Sequence, residues 1–166
     1  MESLRSSVIH NDANDHNVIV SVDSEELPID PATRLCAAPQ IVGVIDFGDV
    51  LLTKTVFNPA ITIAYSILEA DEPVSAGVSL IQGYTAQFPL QDTELSLLFL
   101  LTMCRLAQSV VYSTIKMLDY PDDEYIPIAQ RPAWRVLESL WGRRAEVSAA
   151  WVAAAVRPDT PHLDKQ

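Results

Sequence analysis

The chain has 166 residues, which corresponds to a single domain. Apolar residues make up 49% and charged residues 20%, enough to close a core and too apolar for a disordered chain. Eleven Lys and Arg face 22 Asp and Glu, a formal charge of −11, which argues against nucleic acid and against an anionic membrane surface as partners. Cys36 and Cys104 make neither a disulfide framework nor a metal spacing, so two reduced thiols and a cytoplasmic location are expected. Residues 1–5 lack the apolar run of a signal peptide. The most apolar stretch, 95–104, is interrupted by Arg105 and is shorter than a membrane span.

In chain order, Val8-Ile9 is a short apolar run. The polar octet 10–17 follows and reads as a loop, because Asn and Asp bond their own backbone. Residues 18–22 are β-branched and read as a strand. Residues 23–40 hold three prolines and no periodicity, and form a long connection. A second β-branched run, 41–45, ends in Asp46-Phe47-Gly48-Asp49, and the two runs are expected to pair as a hairpin. Thereafter the period turns helical. Pro59 sits in the first turn of a helix through Ile61, Ala64, Tyr65 and Leu68. Val78, Ile81, Tyr84 and Phe88 mark a second helix. Asp92 or Thr93 caps a third that runs toward Leu118, apolar on nearly all faces and so expected to be buried. Pro121 breaks the chain, and Pro132 opens a last helix running through Trp134 and Trp141 to the alanine-rich 151–155. The three tryptophans read as core or interface packing. The expected class is α+β: a mainly helical domain carrying one small hairpin.

The octet contains His10, Asp12 and Asn17 in the order H-x-D-x-x-x-x-N, the spacing of kinase catalytic loops. A carboxylate there accepts or orients the proton of the acceptor hydroxyl. A neutral amide five residues on can hold Mg2+ without adding negative charge beside the transferring phosphoryl group. Asp46-Phe47-Gly48 then supplies a full charge to the same ion, in keeping with the hard oxygen ligands Mg2+ requires. Each motif alone is weak. Their order, with a strand after the first and a strand before the second, makes the pair specific. Asp12 is therefore the candidate catalytic base, Asn17 and Asp46 the candidate metal ligands, and His10 a residue that orients the loop. Asp15 and Asp49 either contact a substrate ammonium or cap turns. His16 reads as structural, and His162 in the tail carries no role. Arg105 and Gln108 interrupt an apolar helix, and a buried Arg requires a partner, for which an acidic residue of the site is one choice.

At these residues the sequence resembles the aminoglycoside phosphotransferase-like kinases: His10-Asn11-Asp12 through Asn17-Val18-Ile19-Val20, and Val44-Ile45-Asp46-Phe47-Gly48-Asp49. The resemblance narrows to the hydroxylysine kinase family. The segments that carry it are Asn14-Asp15-His16-Asn17, Val56-Phe57-Asn58-Pro59-Ala60-Ile61-Thr62-Ile63, Leu98-Phe99-Leu100-Leu101 and Cys104-Arg105-Leu106-Ala107-Gln108-Ser109. It implies the C-terminal lobe of a protein-kinase-like fold over residues 1–156, followed by a polar tail, 157–166. The implied reaction moves phosphate from GTP or ATP, with Mg2+, to the hydroxyl of 5-hydroxylysine or a related amino alcohol. A relative of that family is the kinase-like module fused to PLP-dependent aminotransferases. Two alternatives stand beside this reading: the chain is such a module of a bifunctional PLP-dependent aminotransferase protein, or it is a lobe that binds an amine or a partner without transferring phosphate. Asn11 stands where many relatives have glycine. No glycine-rich loop or strand lysine precedes Asp12, so the upstream lobe is expected to be missing, the chain inactive alone, and apolar surface exposed near Val8 and Val44.

Overall fold

The computed structural model describes residues 4–21, 40–122 and 125–157. Much of the 23–40 connection, Cys36 and His162 lie outside the described residues. Four short strands precede five helices. The strands are β1 (Ser6–Ile9), β2 (Val18–Ser21), β3 (Gln40–Val44) and β4 (Leu51–Lys54). The helices are α1 (Phe57–Ser66), α2 (Pro73–Gln87), α3 (Asp92–Asp119), α4 (Tyr125–Gly142) and α5 (Arg144–Ala154). The class is α+β and mostly helical.

The expected hairpin is present: β2 pairs antiparallel with β3, Val18 opposite Val44, with an irregularity between Ile19 and Val20. It is not the only sheet. Val8-Ile9 belongs to β1, which pairs antiparallel with β4, Ser6 opposite Lys54. This pairing escapes local reading because its strands are only four residues each and more than forty residues apart. The two ribbons bracket both polar loops: β1 leads into the octet, β2 leaves it, β3 enters the Asp46 turn and β4 leaves it. Both ribbons carry exposed apolar side chains, Val8 at 69%, Ile41 at 69% and Leu52 at 71% of full exposure.

The helices hold the core. Val56, Ile63, Ile81, Leu98, Leu106 and Val147 are buried together with Trp151. The cap of α3 is neither Asp92 nor Thr93. Gln91 accepts from the Glu94 backbone, and the Glu94 carboxylate accepts from Gln91 N–H at 2.8 Å. Glu94 is fully buried and bonded by Arg5 through Nε (3.0 Å) and Nη2. The start of β1 is thereby fastened to the start of α3.

Three helix expectations need correction. First, α3 is buried only as far as Val110; Val111, Tyr112, Ile115 and Leu118 are exposed. Its 28 residues exceed the 10 of α1 and 11 of α5, while α4 follows it past Val110, where Gln130 donates to the Thr114 hydroxyl at 2.9 Å. That length and apolarity would suffice to cross a membrane, contrary to the short count above; the buried half instead packs on α1, α4 and α5. Second, Pro132 lies inside α4 and does not open it. The proline forfeits one backbone hydrogen bond, which the burial of Ala133, Val136 and Leu140 outweighs. Third, the last helix is two, because the chain leaves helical geometry at Arg143 (φ −109°, ψ 19°). Of the tryptophans only Trp151 is core; Trp134 and Trp141 are half exposed.

Candidate functional site

The octet folds into a compact polar turn. Asn14 accepts at Oδ1 from His16 N–H (2.9 Å) and Asn17 N–H (3.2 Å), capping the 3-10 turn Asp15–Asn17. Asn11, just ahead of Asp12, takes a left-handed backbone with φ of 67°. Asn is one of the few residues besides Gly that adopt this region readily, so Asn11 sits there at little cost.

Asp12 is the hub. Its Oδ1 accepts from the Tyr65 hydroxyl at 3.0 Å and from Arg105 Nη2 at 3.3 Å. Its Oδ2 accepts from Asn14 Nδ2 at 3.0 Å and from Asn17 Nδ2 at 3.3 Å. Tyr65 and Arg105 are also bonded to each other, and the guanidinium carbon lies 5.1 Å from the Tyr65 ring centre. Burial first, with Asp12 adding to it, raises the Tyr65 phenol above its ordinary range against the opposing pull of Arg105. The hydroxyl therefore stays protonated and donates. Arg105, from α3, thus finds its partner in the octet. Tyr65 carried no sequence signal of its own, because it sat at a regular helical position in α1.

Asn17 is buried and gives its amide nitrogen to Asp12, to the backbone carbonyl at 2.9 Å as well as to Oδ2. Those bonds turn the amide oxygen away from Asp12. The Asn17 carbonyl accepts from Ile45 N–H at 3.0 Å, and His10 Nε2 donates to the Ile45 carbonyl at 2.9 Å. Both ends of the octet therefore clasp the residue just before Asp46. The His10 ring also lies 5.0 Å from that of Phe47. Asp46 is exposed and left-handed, with φ of 60°, and its Oδ1 accepts from Gly48 N–H at 3.4 Å. Asp15 and Asp49 are exposed at the ends of their two 3-10 turns, outside the Asp12 hub. Among the described residues no cluster of three or more His, Cys, Asp or Glu side chains could hold a metal by itself. The hard-oxygen pair of Asn17 and Asp46 fits an ion that takes its remaining ligands elsewhere, as Mg2+ does from water and phosphate.

Beside the hub is a cavity of about 330 Å3, lined by Asn11, Phe57, Ile61, Leu101, Cys104, Arg105 and Gln108 among others. It lies at the small end of the range for ligand pockets.

Curated proteins resemble the chain over nearly its whole length. It is 32% identical over 153 residues to hydroxylysine kinase of Danio rerio, covering 91% of this chain. It is 33% identical over 158 residues to hydroxylysine kinase of Bos taurus and 31% to that of Xenopus laevis, covering 93% of this chain. The chain is related to the hydroxylysine kinases. It spans about 40% of the length of these relatives. Neither a protein-family model nor a solved structure matches it.

Proposed function

We propose that residues 1–156 form the C-terminal lobe of a small-molecule kinase, and that the chain works as part of a phosphotransferase acting on 5-hydroxylysine or a related amino alcohol. What supports this reading is the convergence of both motifs: Asn17 and His10 bind the backbone of Ile45, which sets Asp46 beside the Asp12 loop. In this reading Asp12 accepts the proton of the acceptor hydroxyl as its oxygen attacks the terminal phosphorus of GTP or ATP, whose bond to the bridging oxygen breaks and releases GDP or ADP. Tyr65, Arg105, Asn14 and Asn17 fix the carboxylate, so little reorganisation precedes the step. Asn17 and Asp46 would hold Mg2+, which supplies positive charge against the transferring phosphoryl group. In this reading the exposed carboxylates of Asp15 and Asp49 would attract the ammonium groups of the acceptor. Residues 1–166 contain no glycine-rich phosphate loop and no lysine ahead of Asp12. Transfer therefore requires polypeptide beyond them, and the isolated chain is inactive.

The test is a chimera in which this chain replaces the matching 153 residues of the Danio rerio hydroxylysine kinase. With labelled GTP or ATP it should phosphorylate 5-hydroxylysine, and Asp12→Asn should lower turnover about 100-fold or more. Near-normal turnover by the Asn variant would refute the assignment. A lobe that binds an amine without transfer is the second reading, favoured by the four donors already satisfying Asp12. It predicts acceptor binding by the chimera with no turnover.

A further inference from the structure

We infer that the cavity beside Asp12 is the acceptor pocket, and that Arg105 with Gln108 forms in it a subsite for a carboxylate, restricting the acceptor to amino acids over plain amino alcohols. This rests on the kinase reading above. Arg105 is the one charged residue lining that cavity, in a chain whose formal charge is −11. Asp12 holds only one end of this guanidinium, so its other nitrogens are the cationic group that the cavity offers to an anion.

The guanidinium also has capacity to spare. It has five N–H donors. Nη2 serves Asp12 and Tyr65, and Nη1 donates to the Gln108 side-chain oxygen at 3.2 Å. Nε is buried, with no hydrogen-bond partner. Gln108 is exposed at the cavity, so its hold on Nη1 is one that a carboxylate can displace. The remaining lining is largely apolar, with Phe57, Ile61 and Leu101 suited to a short aliphatic chain. An amino acid lying along it would place its carboxylate on Arg105 and present a side-chain hydroxyl toward Asp12, which Arg105 itself holds. The two ends of one guanidinium would thus set the distance between anchor and reacting group.

Calorimetric titration of the chain itself distinguishes the possibilities, with 5-hydroxylysine, its α-carboxamide, and lysine as ligands. Wild type should bind 5-hydroxylysine about tenfold or more tighter than the carboxamide, the scale of one charge-assisted hydrogen bond. Gln108→Glu, an exposed change that puts a competing carboxylate on Arg105, should cost about tenfold for the acid and nothing for the carboxamide. Arg105→Gln should abolish the preference for the acid. Equal affinity for acid and carboxamide, equal losses for both in Gln108→Glu, or no heat with any ligand would overturn the subsite. If 5-hydroxylysine binds more tightly than its carboxamide but the chimera phosphorylates neither, the subsite stands and the kinase reading falls.

Discussion

Arg5→Ala should unfasten the strand that leads into the candidate catalytic loop. Glu94 is fully buried, while the Arg5 side chain keeps 35% of its exposure. Burial by itself pushes the Glu94 carboxyl up. The Arg5 hydrogen bonds, the Gln91 N–H and the Arg5 charge outweigh it and hold the group below its usual range. Removing one partner of a buried pair costs about 3–5 kcal/mol. Water can enter where Arg5 was partly exposed, so the expected loss at neutral pH is about 2–3 kcal/mol. The pH dependence has a definite sign. In the wild type the folded value is depressed, so the contribution of Glu94 is complete above the unfolded value of about 4.3 and is lost as pH falls through the folded one. In Arg5→Ala only backbone N–H groups, chiefly that of Gln91, are left to oppose burial, and the folded value rises. The folded variant then takes up the proton before the unfolded chain does, and recovers stability as pH falls from neutral. The gap between the two proteins must therefore narrow in acid. Urea unfolding followed by circular dichroism, at neutral pH and near pH 4, reads it directly. A neutral-pH loss under about 0.5 kcal/mol, or a gap equal at both pH values, would refute the reasoning.

Three further outcomes are expected. In the chimera, Asp46→Ala should weaken Mg2+-dependent nucleotide binding more than Asn17→Ala, because a full charge is lost in one and a dipole in the other; calorimetry giving the reverse order would count against the ligand assignment. Asn11→Val should cost about 1–2 kcal/mol in thermal unfolding while Asn11→Gly is neutral, since φ is 67° there; equal stability of the two variants would contradict the left-handed backbone. Gly77→Ala should destabilise by roughly 2 kcal/mol, because a Cβ would stand 2.6 Å from the indole of buried Trp151; a stabilised variant would show that α2 and α5 do not pack this closely.

Local chemistry was enough to determine several features from the sequence alone. The β2–β3 hairpin follows from two β-branched runs, and α1 to α3 follow from helical periodicity. The octet reads as a turn because Asn14 and its neighbours bond backbone nearby, an interaction that needs no distant partner. The spacing of His10, Asp12, Asn17 and Asp46 likewise needs only the chain order. The rest depends on pairs far apart in sequence. The β1–β4 ribbon joins Ser6 to Lys54, and four-residue strands signal nothing until they meet. The break between α4 and α5 at Arg143 was hidden because the apolar pattern continues through it. The length of α3 promised burial along its whole course, and only the shorter helices around it decide where that burial ends. Tyr65 and Arg105 read as a core position and an interruption on separate helices, 40 residues apart; only the packing of α1 on α3 brings both onto Asp12.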